Sequence, residues 1–83
     1  MRVLYFAWLK TRTGVAEETV APPPEVTTVG ALVDWLKTQS AGHSEALANT
    51  DVIRIAVNLE FAGLDHPIAA GDEIAFFPPV TGG

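Results

Sequence analysis

The order of apolar patterns along this chain predicts a small α+β domain, a mixed sheet of four to five strands with one main helix packed on one face. Three observations carry that expectation. Runs rich in β-branched and aromatic residues stand near both ends, at residues 2 to 10 and 73 to 77. Between them, Val29, Leu32, Val33 and Leu36 recur at i, i+3, i+4 and i+7, the spacing of one helix face. Ile53, Ile55 and Val57 then alternate with Arg54, Ala56 and Asn58, the spacing of one sheet face. A length of 83 residues supports one domain with a single modest core.

Taken in order, residues 2 to 10 read as the first strand, with Val3, Tyr5, Ala7 and Leu9 on one side and Leu4, Phe6 and Trp8 on the other. Neither side is polar except at its ends, so both need cover. Gly14 marks a bend, with room for a short helical turn before it. Glu18 to Ala21 read as a second strand, which Pro22-Pro23-Pro24 ends by removing amide donors. Thr27 or Thr28 is the N-cap of the main helix, which is expected to run to about Gln39 and release near Gly42. Trp35 lies at the flank of its apolar stripe, and Asp34 and Lys37 form a weak i, i+3 pair on the solvent side. A short helical turn is expected around Ser44 to Asn49. Glu60 to Gly63 reads as either a short strand or a turn. His66-Pro67 and Gly71-Asp72 punctuate the chain. In the last strand Ile74 and Phe76 share one face, and Ala75 and Phe77 share the other.

This order matches the ubiquitin-like β-grasp architecture, as a domain over residues 1–77 followed by an extended tail over 78–83. In that layout the first and last strands are central neighbours. The face turned away from the helix then gathers Leu4, Phe6, Trp8, Ala75 and Phe77, an apolar patch that a monomer rarely leaves to solvent. The alternatives stay open: the patch is a partner surface, or loops cover it, or the first strand's register is shifted.

Composition excludes several chemistries. With no cysteine, the chain has no disulfide, thiolate metal site or side-chain thiol carrier. A net charge of −5 disfavours nucleic acid and anionic membrane and suits a basic protein partner, or simply keeps a small protein soluble. No apolar run approaches the ~20 residues of a membrane helix, and the start lacks the parts of a secretory signal, so the cytoplasm is the expected location. The acidic residues lack metal-loop spacing, and no metal site is expected. His43 and His66 read as ordinary loop histidines, with no aligned nucleophile or carboxylate. No Gly-rich phosphate-binding motif is present, so any nucleotide chemistry must come from a partner.

The sequence ends in Gly82-Gly83 after Phe76-Phe77-Pro78-Pro79-Val80-Thr81. Read as a chain end, two residues without side chains can enter a space that rejects bulk. Pro78-Pro79 favours a stiff exit, and six extended residues reach roughly 20 Å at ~3.3 Å each. Val80 can anchor in an apolar pocket. Thr81 either orients the tail through its hydroxyl or is a passive spacer.

The segment from His66 to Gly83, with its Gly71-Asp72-Glu73 turn, Pro78-Pro79 and terminal Gly-Gly, closely resembles the family of small, sulfur-carrying subunits of molybdopterin synthase. The Val3-Leu4-Tyr5-Phe6-Ala7 run, the Thr28-to-Leu32 helix start and Val57-Asn58 are similar as well. The resemblance implies that a separate enzyme uses ATP and Mg²⁺ to adenylate the Gly83 carboxylate. A sulfur donor protein then supports conversion to a thiocarboxylate, and a large synthase subunit spends that sulfur on a cyclic pyranopterin monophosphate. It further implies no cofactor bound by this chain, no catalytic side chain of its own, and a heterotetramer around two large subunits. Gly83 is then the reacting residue, and Leu4, Phe6, Trp8, Ala75, Phe77, Pro78, Pro79, Val80, Thr81 and Gly82 are expected partner contacts. Two other functions stay open: a β-grasp sulfur carrier for thiamine thiazole synthesis or tRNA thiolation, and a ubiquitin-like modifier or binding module.

Overall fold

The structure, a computed structural model, describes residues 1–79. The expectations placed on Val80, Thr81, Gly82 and Gly83 lie outside the described residues. The elements run β1 (Arg2–Tyr5), α1 (Trp8–Thr13), β2 (Glu17–Thr19), α2 (Val29–Leu36), α3 (Ala41–Ala46), a 3₁₀ turn (Thr50–Val52), β3 (Arg54–Val57), β4 (Glu60–Phe61) and β5 (Glu73–Phe77). The five strands form one mixed sheet in the order β2-β1-β5-β3-β4. β1 and β5 are the parallel pair at its centre, and the other three pairings are antiparallel.

Period-2 alternation decides which side chains go inward. Val3, Tyr5, Ile55, Val57, Ile74 and Phe76 are buried on one face, where they join Val29, Leu32, Val33 and Leu36 of α2 in a single core. The helix starts where expected: Thr28 has extended backbone, and its hydroxyl accepts the Ala31 N–H at 3.2 Å. Trp35 is only partly buried at the edge of that core.

Several boundaries differ from the expectations. The first strand stops at Tyr5, because Ala7 takes a left-handed φ of 55° that an extended strand cannot continue. The chain turns there into α1, which Gly14 closes at φ 85° by donating its N–H to the Lys10 carbonyl at 2.9 Å. Leu9 is buried as expected, yet it gets there from a helix, while Ala7 is exposed. The second strand sits one to two residues earlier than expected, with Val20 adding one further bond to the Met1 carbonyl.

At the other end of α2, i→i+3 bonds from Thr38 and Gln39 tighten the last turn. Gly42 does not release that helix. Ser40 caps a new one, α3, by accepting the His43 N–H at 3.1 Å, and Gly42 lies inside it. A Cβ on Gly42 would collide with the Arg12 carbonyl oxygen, so glycine is there to let α3 approach the end of α1. The expected turn from Ser44 to Asn49 is therefore the later part of a helix that begins at Ala41. Asp34 and Lys37 form no ion pair among the described residues.

His43, expected in a loop, is instead buried on α3. Its Nε2 lies 2.7 Å from Glu18 Oε2, and its Nδ1 lies 2.7 Å from the Ser40 hydroxyl. The Tyr5 hydroxyl donates to the same Glu18 oxygen at 2.7 Å. Desolvation first, and then this bond to a carboxylate, push the Tyr5 phenol far above its ordinary range. The network ties β1, β2 and α3 together, and among the described residues no buried side-chain polar atom lacks a partner.

Candidate protein-docking site

The sheet face turned away from α2 is apolar where β1, β5 and β3 meet. Leu4 stands opposite Ala75 in the parallel register, and Ala75 stands opposite Ala56 in the antiparallel one. A groove of about 460 Å³ opens on this face, lined by Phe6, Ala56, Leu59, Phe61, Ala75 and Phe77. Phe61 and Phe77 face each other with ring centroids 5.9 Å apart. Leu59 is 89% exposed and Phe61 79%, high values for side chains of this size. Exposed apolar side chains gathered on one face make it a candidate interaction surface.

A tight hairpin presents Leu59. Asn58 and Leu59 both have positive φ, at 50° and 72°, the conformation of a tight two-residue turn between paired Val57 and Glu60. Asparagine tolerates that region through local hydrogen bonds, whereas leucine there is strained. The strain is held by a second turn. Asn58 Oδ1 accepts the Glu73 N–H at 3.0 Å, and Asn58 Nδ2 donates to Asp72 Oδ1 at 3.1 Å. The other Asp72 oxygen accepts the Ala69 N–H at 2.8 Å, and Gly71 supplies a φ of 91°. These bonds, the one from Asn58 foremost, hold the Asp72 carboxyl below its ordinary range. The Gly71-Asp72-Glu73 segment thus starts β5 and also braces the turn that carries Leu59.

Of the residues expected on this face, Phe6, Ala75 and Phe77 line the groove, and Leu4 is half-buried beside them without lining it. Trp8 leaves the face altogether. It lies on α1, partly buried against the core, with the Arg12 guanidinium carbon 4.8 Å from its ring centroid. Ala56, Leu59 and Phe61 were missed. The signal available for the last two was an apolar side chain on each side of Glu60, at the start of a segment read as either a short strand or a turn. Pro78 and Pro79 are half-buried and leave β5 directly after Phe77, so the groove lies at the root of the tail.

Asp72 and Glu73 do not act as paired carboxylates, since Asp72 is engaged in the turn and Glu73 faces Arg2 at 3.4 Å. Among the described residues no group of three or more His, Cys, Asp or Glu side chains could hold a metal ion, and no helix is long and apolar enough to cross a membrane.

Over residues 3–83 the sequence matches the ThiS family. The chain belongs to that family. It is 42% identical over 84 residues to the molybdopterin synthase sulfur carrier subunit of Escherichia coli, covering all of this chain and 99% of that one. Among solved structures it resembles SAMP1 from Haloferax volcanii, with a TM-score of 0.75 and 35% identity over 100% of this chain and 98% of that one. It also resembles a chain in the complex of subunits 1 and 2 of the molybdopterin-converting factor from Helicobacter pylori, with a TM-score of 0.65, 26% identity, and coverage of 99% and 96%. The five-stranded mixed sheet with β1 beside β5 is accordingly the ubiquitin-like β-grasp fold.

Proposed function

We propose that this chain is a sulfur carrier of molybdenum cofactor biosynthesis, the small subunit of a molybdopterin synthase. The observation that carries the reading is an apolar groove at the root of the segment that leads to Gly82-Gly83, in a chain of this family. The body, residues 1–77, docks; the tail, residues 78–83, delivers.

A terminal carboxylate, with a pKa of ~3.3 to 3.7, is ionised at neutral pH and resists attack on its carbon. In the proposed cycle a Gly83 carboxylate oxygen attacks the α-phosphate of ATP and pyrophosphate leaves; sulfide-level sulfur from the donor then attacks the acyl carbon, AMP leaves, and the thiocarboxylate remains. ATP and Mg²⁺ are bound by the activating enzyme, which fits a chain with no phosphate-binding glycine loop. Glycine at 82 and 83 keeps the acyl carbon open to both nucleophile and channel. Pro78-Pro79 limits the freedom lost when the tail is threaded into a partner, and Val80 and Thr81 seat it there.

The partner at the sulfur-insertion step is the large synthase subunit, with two large subunits at the centre of a heterotetramer. The chemistry on the pyranopterin belongs to that subunit, and the cycle runs in the cytoplasm. Phe6, Leu59, Phe61 and Phe77 are the anchors of docking, an aromatic-rich set of the kind that dominates interface energies.

Reconstitution tests the pathway assignment. Thiocarboxylated chain, mixed with the cognate large subunit and cyclic pyranopterin monophosphate, is expected to return to the carboxylate as the dithiolene forms. No turnover with this substrate, alongside sulfur delivery to a thiazole or a tRNA, would move the chain to another carrier pathway. A second reading has its own support, because a structural relative from Haloferax volcanii is described as a small archaeal modifier protein, at 29% identity and a TM-score of 0.70. Lysine-linked conjugates formed through Gly83 would favour it.

A further inference from the structure

The groove does not end at Phe61. The same ring borders a neighbouring hollow of about 450 Å³ along β3 and β4, whose wall also includes Thr50, Arg54 and Leu64. Arg54 is in register with Phe77, the last residue of β5, so its exposed side chain stands beside the tail root on the docking face. The basic residues of this acidic chain are few, and they are not equivalent. At the opposite end of the same face, Arg2 is engaged by Glu17 at 2.6 Å and Glu73 at 3.4 Å. Arg54 makes no ion pair among the described residues, and its nearest polar contact is a long one of 3.4 Å to the carbonyl of Ile53.

A protein surface that covers Phe61 and Phe77 must also draw water away from a guanidinium one strand over. An uncompensated buried charge is costly, and arginine's fork is shaped for a carboxylate. From this we infer that the partner docking on this face presents an acidic side chain, Asp or Glu, which enters the hollow beside Phe61 and pairs with Arg54. The pair adds direction to an otherwise greasy contact: an apolar groove tolerates rotation of its occupant, whereas one carboxylate placed against one guanidinium at the tail root sets the angle at which the tail is aimed.

This inference rests on the reading that the outer sheet face docks the large subunit, and two variants separate the two claims. Binding of the cognate large subunit is measured by surface plasmon resonance from about 50 to about 300 mM salt, across which screening of exposed charges rises steeply. Arg54→Glu is expected to weaken binding about tenfold at the low-salt end, with the loss shrinking as salt rises, as for a charge at an interface edge. Arg54→Lys, which keeps the charge but loses the fork, is expected to weaken binding by less than Arg54→Glu does. Phe77→Ala is expected to weaken binding at every salt concentration. If Arg54→Glu binds like the wild type throughout while Phe77→Ala binds weakly, the acidic partner contact is wrong and the docking face stands. If neither variant loses affinity, the docking face is wrong and the acidic contact falls with it. Arg54 is an exposed side chain, so an unchanged melting temperature verifies that the variants report on binding.

Discussion

Phe76 and Phe77 are consecutive residues of one strand whose side chains face opposite ways, one into the core and one onto the outer face, and replacing each by alanine separates the two roles. Phe76 is fully buried, its ring stacked on Tyr5 with centroids 5.9 Å apart. Removing such a side chain costs about 3 to 5 kcal/mol in transfer and cavity energy. A domain of this length is worth about 4 to 12 kcal/mol in total at typical per-residue stability. Phe76→Ala should therefore lower the melting temperature by roughly 12 to 40 °C, at 4 to 8 °C per kcal/mol, and leave little folded protein near the upper end. Phe77 is half-buried on the outer face and loses chiefly its contact with Phe61. An aromatic pair is worth about 0.5 to 1.5 kcal/mol beyond its area, so Phe77→Ala should cost about 1 to 2 kcal/mol of stability. Its affinity for the large subunit should fall by about 2 kcal/mol or more, roughly 30-fold, as for a central aromatic anchor. Urea denaturation and calorimetric titration on the same preparations read both quantities. Equal stability losses for the two variants, or an undiminished affinity for Phe77→Ala, would refute the division of the strand into a core face and a docking face.

Two further outcomes follow from the interior. Tyr5 is the only tyrosine, so its ionisation can be followed by ultraviolet absorbance without ambiguity. Because the folded-state phenol is held above its ordinary range, its contribution to stability is complete below the unfolded value of ~10 and is lost as pH climbs beyond it. Tyrosinate absorbance should thus appear together with alkaline loss of circular dichroism, and a tyrosinate signal near pH ~10 with the fold intact would contradict the buried Tyr5–Glu18 bond. Gly42→Ala forces a methyl group into the Arg12 carbonyl and should cost about 1 to 3 kcal/mol, the range for overpacking. A stability equal to or above that of the wild type, as helix propensity alone would give, would mean that α1 and α3 do not meet there.

The parts of the fold legible in the sequence are those where one periodicity excludes the other. Val29, Leu32, Val33 and Leu36 fit a helix face and no strand face, and Ile74 and Phe76 alternate with Ala75 and Phe77 behind a Gly-Asp turn; both elements stand where that pattern puts them. Leu9 fits either period, since it faces inward from a continued strand and from a helix alike. What decides is the left-handed backbone at Ala7, which an alanine does not advertise, and the docking of α1 on α3. Gly42 departs from its expected role for a related reason: glycine ends helices, but it also admits close neighbours, and only the approach of Arg12 tells the two apart. For the site, Phe6, Ala75 and Phe77 followed from strand alternation. Leu59 and Phe61 did not, because a leucine at positive φ breaks the rule that tight turns are polar or glycine, and the bonds that hold it come from Asp72 and Glu73, more than ten residues away.

Whether Gly83 carries sulfur is read from the intact mass of the full chain. After incubation with ATP, Mg²⁺, the activating enzyme and a sulfur donor, one terminal oxygen is expected to be exchanged for sulfur. The added mass should localise to the peptide containing Gly83 and be absent from a chain lacking Gly83 that melts at the same temperature as the wild type. An unchanged mass, under conditions that convert a known carrier to its thiocarboxylate, would contradict the claim.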